Sequence, residues 1–387
     1  MSGKLTKILI TSANTLLLAL LVFTAYGGMI PPDFWVGGAI AAMIFPLFLI
    51  IVIIASIIFV FFYPILTIIN LLVMVLCIGP ILSYCPLNVT HLYSKVPEGE
   101  DSFTLMTYNV TNLSDYTVIE RNISRTNKGD TENLEDSNNG ATLRYILSCA
   151  PDIVTMQECF GTTLESVMDK YPGLGDSVKT QYPYIYSTPY KPITLLSRYP
   201  FEPIDIESRL PEMSYYEVQA YKINIEGHLT HVIGVHLQPI GLSPDDKKLY
   251  LDITSGDAHL KHELNEVRHN LISKLAHAYK MRALQADSIR NVLNSLHGNV
   301  IVCGDFNDIP DSYAVRTICG DDLRSAYREA GFGPGISFHA DRFYFRIDHC
   351  LYRGDMTPVK SYFPHNPTSD HYPLITTFVW DKGGKSQ

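Results

Sequence analysis

The sequence predicts a mixed α/β domain of layered sheets and helices that follows a helical transmembrane segment. Two observations support this expectation. Residues 34–94 contain no Asp, Glu, Lys or Arg, which makes this stretch too apolar for a water-exposed surface. After residue 101, short apolar runs typical of strands alternate with a few segments of helical spacing. Many strands with interposed helices are typical of an α/β layered domain.

Residues 1–84 predict a transmembrane anchor. A bilayer core takes about 20 apolar helical residues, so the uncharged stretch is long enough for two crossings. An earlier apolar run supplies a first crossing. The anchor is therefore expected to contain about three helices, near residues 8–30, 36–61 and 65–84.

The charges around the first apolar run indicate the topology. Lys4 and Lys7 precede it, and positive charge favours the cytoplasmic side. Three crossings then make an integral multi-pass protein whose C-terminal domain lies outside the cytoplasm. Alternatively the first run is a signal peptide cleaved near Thr24-Ala25-Tyr26, which leaves the C-terminal domain on the same side. A buried helical hairpin in a soluble protein is a further alternative for the uncharged stretch.

Charge and cysteine content limit the possible functions. Residues from 95 onward have a net charge of −10. Proteins that hold nucleic acid through its phosphates usually present a basic surface, so tight, extended DNA binding is disfavoured. The seven cysteines show no Cys-x-x-Cys spacing, and Cys303 and Cys350 are expected to be small buried residues.

The rest of the chain divides into a linker at residues 85–101, a folded domain at 102–381 and a tail at 382–387. Residues 111–140 are polar and aperiodic, which predicts a long loop or an insertion. Helices are predicted at residues 141–149 and within 259–296. Strands are predicted at 103–110, 151–156, 193–197, 216–225, 231–236, 299–303, 345–352 and 374–380.

Polar residues follow the predicted strand at 299–303. Gly304 permits a tight exit, and Asp305 and Asn307, two residues apart, can face one cleft. Asp370-His371 stands just before the last predicted strand, where a histidine with a carboxylate partner suits a base or an electrophile. Asp348 is a candidate for that partner.

Three more polar residues close apolar strands. Glu158 ends one strand, and with Asn109 nearby it offers the hard oxygen ligands that Mg²⁺ prefers. His236 closes another strand and is able to protonate a leaving oxygen. Each residue alone has an ordinary structural explanation, but all of them at strand ends predict one metal-dependent phosphoester site.

This order of motifs resembles the endonuclease/exonuclease/phosphatase superfamily over about residues 102–381. Gly-Asp-Phe-Asn at 304–307 and Ser-Asp-His at 369–371 are its most specific pieces. The resemblance implies a deoxyribonuclease I-like four-layer sandwich, in which two mixed β-sheets pack face to face with helices outside. It also implies metal-dependent attack of water on phosphorus, with Mg²⁺ as the cofactor and Mn²⁺ as a possible substitute.

The resemblance also assigns roles to the site residues. Glu158 is the expected main metal ligand, with Asn109 beside it on metal or phosphate and Asp370 near the metal. Asp305 is expected to orient and deprotonate the attacking water, helped by Asn307. The remaining residues are His371, which Asp348 holds against the phosphoryl oxygen, and His236, which acts as general acid or phosphate ligand.

Two positions differ from the abasic-site endonucleases of this superfamily. Those enzymes typically have Asp where this chain has Thr111, and they tend to have Asn in place of His236. Members similar to deoxyribonuclease I and to neutral sphingomyelinases have His at the second position. Both differences make a repair endonuclease the less favoured hypothesis.

The resulting hypothesis is a membrane-anchored, Mg²⁺-dependent phosphodiesterase, with nuclease-type activity as the broadest expectation. A lipid head-group phosphodiesterase or an inositol-phosphate-type phosphatase is the alternative, and a non-catalytic membrane-tethered binding module is a further one. The expected partners are the lipid bilayer and a phosphoester substrate, either nucleic acid or a lipid head group. The sequence indicates no protein partner.

Overall fold

A computed structural model describes residues 2–89, 101–127, 133–206, 210, 217–241, 263–340 and 344–381. The chain separates into two compact units. The first unit comprises Met1–Cys85, Ile240–Ala286 and Ile309–Thr317, and the second comprises Pro86–Pro239, Asp287–Asp308 and Ile318–Gln387. All the predicted site residues belong to the second unit.

The first unit contains the apolar helices, which are α1 (Ser2–Tyr26), α2 (Val36–Met43), α3 (Phe45–Phe62), α4 (Pro64–Leu76) and α5 (Ile78–Tyr84). Two helices separated by Ile44 stand where the sequence predicts one near 36–61. Pro46 lies in the first turn of α3, a position that proline tolerates because it has no amide hydrogen to donate.

Two helical segments, Gly3–Met29 and Phe45–Phe62, are long and apolar enough to cross a membrane. The α4–α5 pair is bent by 70° and adds a third span if it is counted as one broken helix. The described residues therefore contain two such segments, or three if the bent pair is counted, and the division into about three spanning helices stays a prediction.

Polar side chains connect three of these helices. Asn14 donates from Nδ2 to Oδ1 of Asn70 at 2.8 Å, and Asn70 donates from its own Nδ2 to Oγ of Ser56 at 3.0 Å. All three residues are buried within the unit. Such hydrogen bonds fasten apolar helices together where the hydrophobic effect gives no preference for one helix partner over another.

The second unit contains two six-stranded sheets, ordered β11-β12-β1-β2-β4-β3 and β5-β6-β7-β8-β10-β9. Both sheets are mixed, because β1 pairs with β2 and β7 with β8 in parallel while the other pairs are antiparallel. The strands are β1 (Ser102–Asn109), β2 (Ile153–Gln157), β3 (Tyr184–Tyr186), β4 (Ile193–Ser197), β5 (Phe201–Ile204), β6 (Glu217–Ile225), β7 (His228–His236), β8 (Asn299–Asp305), β9 (Arg324–Ser325), β10 (Asp348–Arg353), β11 (Met356–Tyr362) and β12 (Leu374–Trp380).

The sheets pack face to face across one apolar core. Phe103 and Leu105 of the first sheet share this core with Ile301 and Cys303 of the second. Because side chains alternate along a strand, Val302 points to the other face of β8, and it is also fully buried. This arrangement confirms the predicted fold class of two mixed sheets with flanking helices.

The helices of the second unit include several that the sequence did not predict. They are α6 (Tyr116–Asn127), α8 (Gly161–Lys170), α9 (Pro172–Gln181) and α12 (Ala326–Ala330), whereas α7 (Ala141–Cys149) was predicted with these bounds. Helices α7 to α9 cover the outer face of the first sheet. The long α10 (Glu263–Leu293) and the short α11 (Tyr313–Cys319) each have residues in both units.

The prediction of a long loop at residues 111–140 was wrong for its first half, because α6 lies there. In this mostly polar helix the side chain of Val118 is buried, while that of Ile123 is exposed. The predicted strand at 345–352 begins only at Asp348. Residues 90–100 of the predicted linker and the tail at 382–387 lie outside the described residues.

Replacing Asn70 with Leu should destabilise the first unit, because it removes the acceptor for Asn14 and the donor to Ser56. The expected loss is about 1–2 kcal/mol. Thermal unfolding of the full chain in detergent measures it. Thr15→Ala is the control, since the Thr15 hydroxyl donates to the carbonyl oxygen of Thr11 in its own helix at 2.9 Å. If Asn70→Leu lowered the free energy of unfolding by no more than Thr15→Ala does, the stabilising role of this network would be contradicted.

Candidate active site

Strand register brings together the predicted site residues of the second sheet. His236 ends β7 and stands opposite Asp305, the last residue of β8, in the parallel ladder. Asp305 in turn stands opposite Asp348, the first residue of β10, in the antiparallel ladder. One imidazole and two carboxylates therefore occupy neighbouring positions at the same edge of the sheet.

Gly304 permits the close approach of β7 and β8 at this edge. A Cβ atom at this position would lie 1.9 Å from the carbonyl oxygen of Val235, which is far inside van der Waals contact. The glycine also adopts a φ of 148°, a conformation that other residues rarely take. The glycine of the Gly-Asp-Phe-Asn motif is thus required by the backbone that places Asp305.

Asn109 and Glu158 come from the first sheet. Asn109 ends β1 beside Gln157, and Glu158 follows β2 with a φ of 52°. Asn109 Nδ2 donates to Glu158 Oε1 at 3.1 Å and to Asp305 Oδ2 at 3.0 Å. One buried amide therefore connects the polar ends of both sheets and holds the two carboxylates that were predicted as metal ligand and base.

His371 and Asp348 form a close pair, as predicted. His371 Nδ1 lies 2.8 Å from Asp348 Oδ2, and its Nε2 lies 3.6 Å from Asp305 Oδ2. The ring of Phe338 packs against the imidazole with centroids 5.0 Å apart. Burial alone would lower the pKa of His371, but Asp348 and Asp305 outweigh it and raise the pKa to about 10. The imidazole is therefore a cation at neutral pH.

Glu158 is more open than its neighbours. Its side chain is 35% exposed, and its Oε1 lies 3.8 Å from Nε2 of His236. His236 Nε2 lies a similar 3.7 Å from Asp305 Oδ2. Burial raises the pKa of Glu158, while His236 and Asn109 counteract this and Asp370 adds to it. Negative charge thus accumulates around Glu158.

Asp370 is held by residues for which the sequence indicated no role. Its Oδ1 accepts a hydrogen bond from Thr111 Oγ1 and one from Ser369 Oγ at 3.3 Å. Ser369 Oγ also lies 2.7 Å from the carbonyl oxygen of Asn109. Thr111, noted only as a departure from abasic-site endonucleases, therefore orients Asp370. The sequence feature that could have indicated this role is the position of Thr111, two residues after Asn109.

Asn307 supports Asp305 through its backbone and holds the neighbouring chain through its side chain. Its backbone amide donates to Asp305 Oδ1 at 2.8 Å, and its side-chain Nδ2 donates to the carbonyl oxygen of Leu237 at 2.9 Å. The residue has a φ of 51°, which asparagine tolerates better than most residues. These contacts fix the orientation of the Asp305 carboxylate.

The donor set fits a hard divalent cation. Asp305, Asp348 and His371 each offer one ligand atom within 4.8 Å of the others, but these three are buried and the last two are already paired. The more exposed Glu158 and Asp370 offer carboxylate oxygens, while Asn109 directs Nδ2 at Glu158 and accepts through Oδ1 from the Thr111 amide at 3.2 Å. Oxygen donors and net negative charge suit Mg²⁺ better than softer metals.

Three further histidines surround the site. His349 is buried, with Nε2 2.9 Å from the carbonyl oxygen of Asp308, and burial together with Arg346 lowers its pKa to about 3. His339 Nε2 lies 3.0 Å from the carbonyl oxygen of Ser369. The ring of Tyr372 stacks between His339 and His365. These contacts are structural.

The raised pKa of His371 predicts how stability depends on pH without metal. The native imidazole keeps its proton up to about pH 10, whereas the unfolded one releases it near about pH 6.5. Its stabilising contribution is therefore complete below about pH 6.5 and is lost as the pH rises through about 10. In EDTA, as the pH rises from about 6.5 to about 10, the free energy of unfolding of the wild type should fall by on the order of 2 kcal/mol more than that of His371→Gln.

Thermal unfolding of the full chain in detergent, followed as a function of pH, measures this difference. His297→Gln, at an exposed position, is the control and should follow the wild type. Parallel curves for wild type and His371→Gln would show that the ion pair is absent.

Comparison with known proteins places this geometry in a family. The model of the Endonuclease/Exonuclease/phosphatase family matches residues 122–371. No curated protein matches the chain. Among solved structures, a humanized D. rerio TDP2 carrying 14 mutations is 14% identical, with a TM-score of 0.45 and coverage of 72% of this chain and 99% of that chain.

Two further solved structures are similar. TDP2 from C. elegans is 17% identical, covers 73% of this chain and 77% of its own, and has a TM-score of 0.43. An endonuclease/exonuclease/phosphatase from Bacteroides vulgatus is 13% identical, covers 72% of this chain and 99% of its own, and has a TM-score of 0.45. By the family match across its catalytic motifs, this chain belongs to the Endonuclease/Exonuclease/phosphatase family and is a phosphoesterase hydrolase.

Proposed function

We propose that this protein is a membrane-anchored, Mg²⁺-dependent phosphodiesterase in which water attacks phosphorus in line. The single observation that supports this most is the bridging amide of Asn109, which joins Glu158 to Asp305 beside the protonated His371. This contact of two carboxylates beside an imidazole supports a site with a base, a cation and oxygen ligands around one position. The family match supports phosphoester hydrolysis as the reaction class.

Asp305 is the base in this proposal. Its Oδ1 is fixed by the Asn307 amide, and its Oδ2 accepts from Asn109 and lies within reach of both imidazoles. A carboxylate held in this way is able to orient a water molecule and accept its proton. Because the side chain is buried, few other orientations compete with the productive one.

His371 and His236 are the groups that meet the phosphate. His371 is held by Asp348 and is positively charged, so it is able to bind the phosphoryl oxygen and stabilise the charge that develops there. His236, between Glu158 and Asp305, is placed to donate a proton to the leaving oxygen.

Members of the family generally depend on a divalent metal. In this chain Glu158, Asn109 and Asp370 would hold it, since Glu158 and Asp370 carry carboxylate oxygens and the Asn109 amide contacts Glu158 directly. Bound Mg²⁺ would polarise the phosphoryl group and neutralise its developing negative charge.

The apolar helices support the anchor, and Lys4 and Lys7 support a topology with the catalytic unit outside the cytoplasm. Nuclease activity is the broadest expectation for the family. A phospholipid head group is a second candidate substrate, favoured by the net charge of −10 beyond residue 94, which repels nucleic acid, and by the apolar helices.

Asp305→Asn and His371→Ala should each lower kcat by at least about 10³-fold, because one removes the base and the other the cation that binds phosphate. The assay is Mg²⁺-dependent release of p-nitrophenol from bis(p-nitrophenyl) phosphate by the full chain in detergent. Asp176→Asn, at an exposed carboxylate on α9, is the matched control. Near-wild-type turnover in either site variant would show that the roles are misassigned.

Glu158→Gln should chiefly raise the Mg²⁺ concentration needed for half-maximal turnover, by roughly 10-fold or more. The amide keeps an oxygen donor but loses the negative charge that attracts the cation. A Mg²⁺ titration of turnover, with Glu165→Gln on the exposed face of α8 for comparison, measures the shift. An unchanged Mg²⁺ requirement would exclude Glu158 as the main ligand.

The substrate class is tested by incubating the full chain and Mg²⁺ with plasmid DNA, and separately with vesicles that contain sphingomyelin or phosphoinositides. Asp305→Asn corrects for contaminating activities. Cleaved DNA would support a tethered nuclease despite the acidic charge, while cleaved lipid with intact DNA would favour the second candidate. Cleavage of neither diester, and none of bis(p-nitrophenyl) phosphate, would contradict the proposed function.

A further inference from the structure

The segment that directly follows the apolar helices is bound to the catalytic unit. The carbonyl oxygen of Pro86 accepts from the amide of Gly333 at 2.8 Å, and Leu87 forms an antiparallel bridge with Phe332. Asn88 donates from Nδ2 to two backbone carbonyls at 2.9 Å each, those of Arg328 and Gly331. Residues 86–88, predicted as part of a linker, thus form specific contacts with residues 328–333.

The loop bound by this segment is also held by contacts other than those with Asn88. The hydroxyl of Tyr327 donates to the carbonyl oxygen of Phe332 at 2.8 Å. The buried guanidinium of Arg346 lies over the Tyr327 ring, 4.5 Å from its centroid, and donates from Nη1 to the carbonyl oxygen of Pro334 at 3.0 Å. A displacement at residues 331–334 would therefore be transmitted to the residues that follow.

Those residues hold the catalytic pair. The buried Ser337 accepts through Oγ from the amides of Ile347 at 2.9 Å and Asp348 at 3.1 Å. Its carbonyl oxygen accepts from the amide of Tyr372 at 2.6 Å. The next residue, Phe338, forms a bridge with His371 and packs against its ring. Ser337 thus binds the backbone on both sides of the Asp348–His371 hydrogen bond.

We propose that Asn88 and Ser337 are positioning residues of the catalytic centre, which act through the loop at residues 331–338 on the geometry of the Asp348–His371 pair. The chain leaving the apolar helices is then part of the active-site scaffold, so that tethering and turnover are coupled. This inference rests on the proposed function for its catalytic consequence, but its structural part is measurable without turnover.

Hydrogen–deuterium exchange on the full chain tests the structural part. Asn88→Ala should speed exchange at the amides of Gly333, Ile347 and Asp348, and Ser337→Ala should speed it at the last two. Asn122→Ala is the matched control, because Asn122 also makes two side-chain hydrogen bonds to backbone, both with Glu135, and is remote in sequence from this loop. Should Asn88→Ala fail to fold, Asn88→Ser, which keeps a shorter donor, replaces it.

Turnover of bis(p-nitrophenyl) phosphate tests the catalytic part. Ser337→Ala should lower kcat by roughly 10-fold and Asn88→Ala by about threefold, with KM near wild type. Neither change should cause a further loss in an Asp348→Asn background, because both act through that residue.

Unchanged exchange at Ile347 and Asp348 in both variants would overturn the inference, whatever the turnover. The inference would also be overturned if Ser337→Ala and Asn88→Ala lowered kcat by the same factor in the Asp348→Asn background as in the wild type. If exchange responds as expected but the wild type shows no turnover, the proposed function fails while the scaffold role of the segment stands.

Discussion

The active site depends on the burial of carboxylates around one protonated imidazole. Asp305 and Asp348 are each 1% exposed, and His371 lies between them with a nitrogen directed at each. Removing these charges from water is costly unless they compensate one another. The pairing raises the pKa of His371 to about 10, so the cation persists through the physiological range. A fixed positive charge beside a fixed base is what attack of water on a phosphate ester requires.

Compensation within the site is incomplete on the side of Glu158. There Glu158 and Asp370 add negative charge, and the nearby groups that counteract it are the His236 imidazole and the neutral Asn109 amide. A divalent cation would balance this charge and would bind the oxygen donors it prefers. The excess negative charge at Glu158 and Asp370 thus favours binding of a cation. It favours that binding on the side of Glu158, which is the more exposed side of the site.

The site could be predicted from the sequence because most of its polar residues lie at the ends of apolar strands. Asp305 and Glu158 follow apolar runs directly, and residues 193–197 and 374–380 were predicted with the bounds that the structure has. Asp348 was harder, since the predicted strand began three residues before it. Its role as the partner of His371 was predicted, but its position opposite Asp305 at the start of β10 was not.

Two contacts between residues distant in sequence were not predicted. Thr111 after β1 meets Asp370 before the neighbouring β12, and Asn88 meets Arg328 and Gly331 from the predicted linker. Neither contact has a periodic or compositional signal, because each depends on two loops that only the completed fold brings together. For the same reason the sequence indicated that His371 has a carboxylate partner but gave no sign that Ser337 holds that partner in place.

The most direct test of direct, in-line attack by water is the stereochemical course at phosphorus. The full chain with Mg²⁺ would hydrolyse a chiral phosphorothioate diester in isotopically labelled water, and the configuration of the product would be determined. A single displacement by water on phosphorus predicts inversion. Retention would require two displacements through a covalent enzyme intermediate, and it would contradict the assignment of Asp305 as a base.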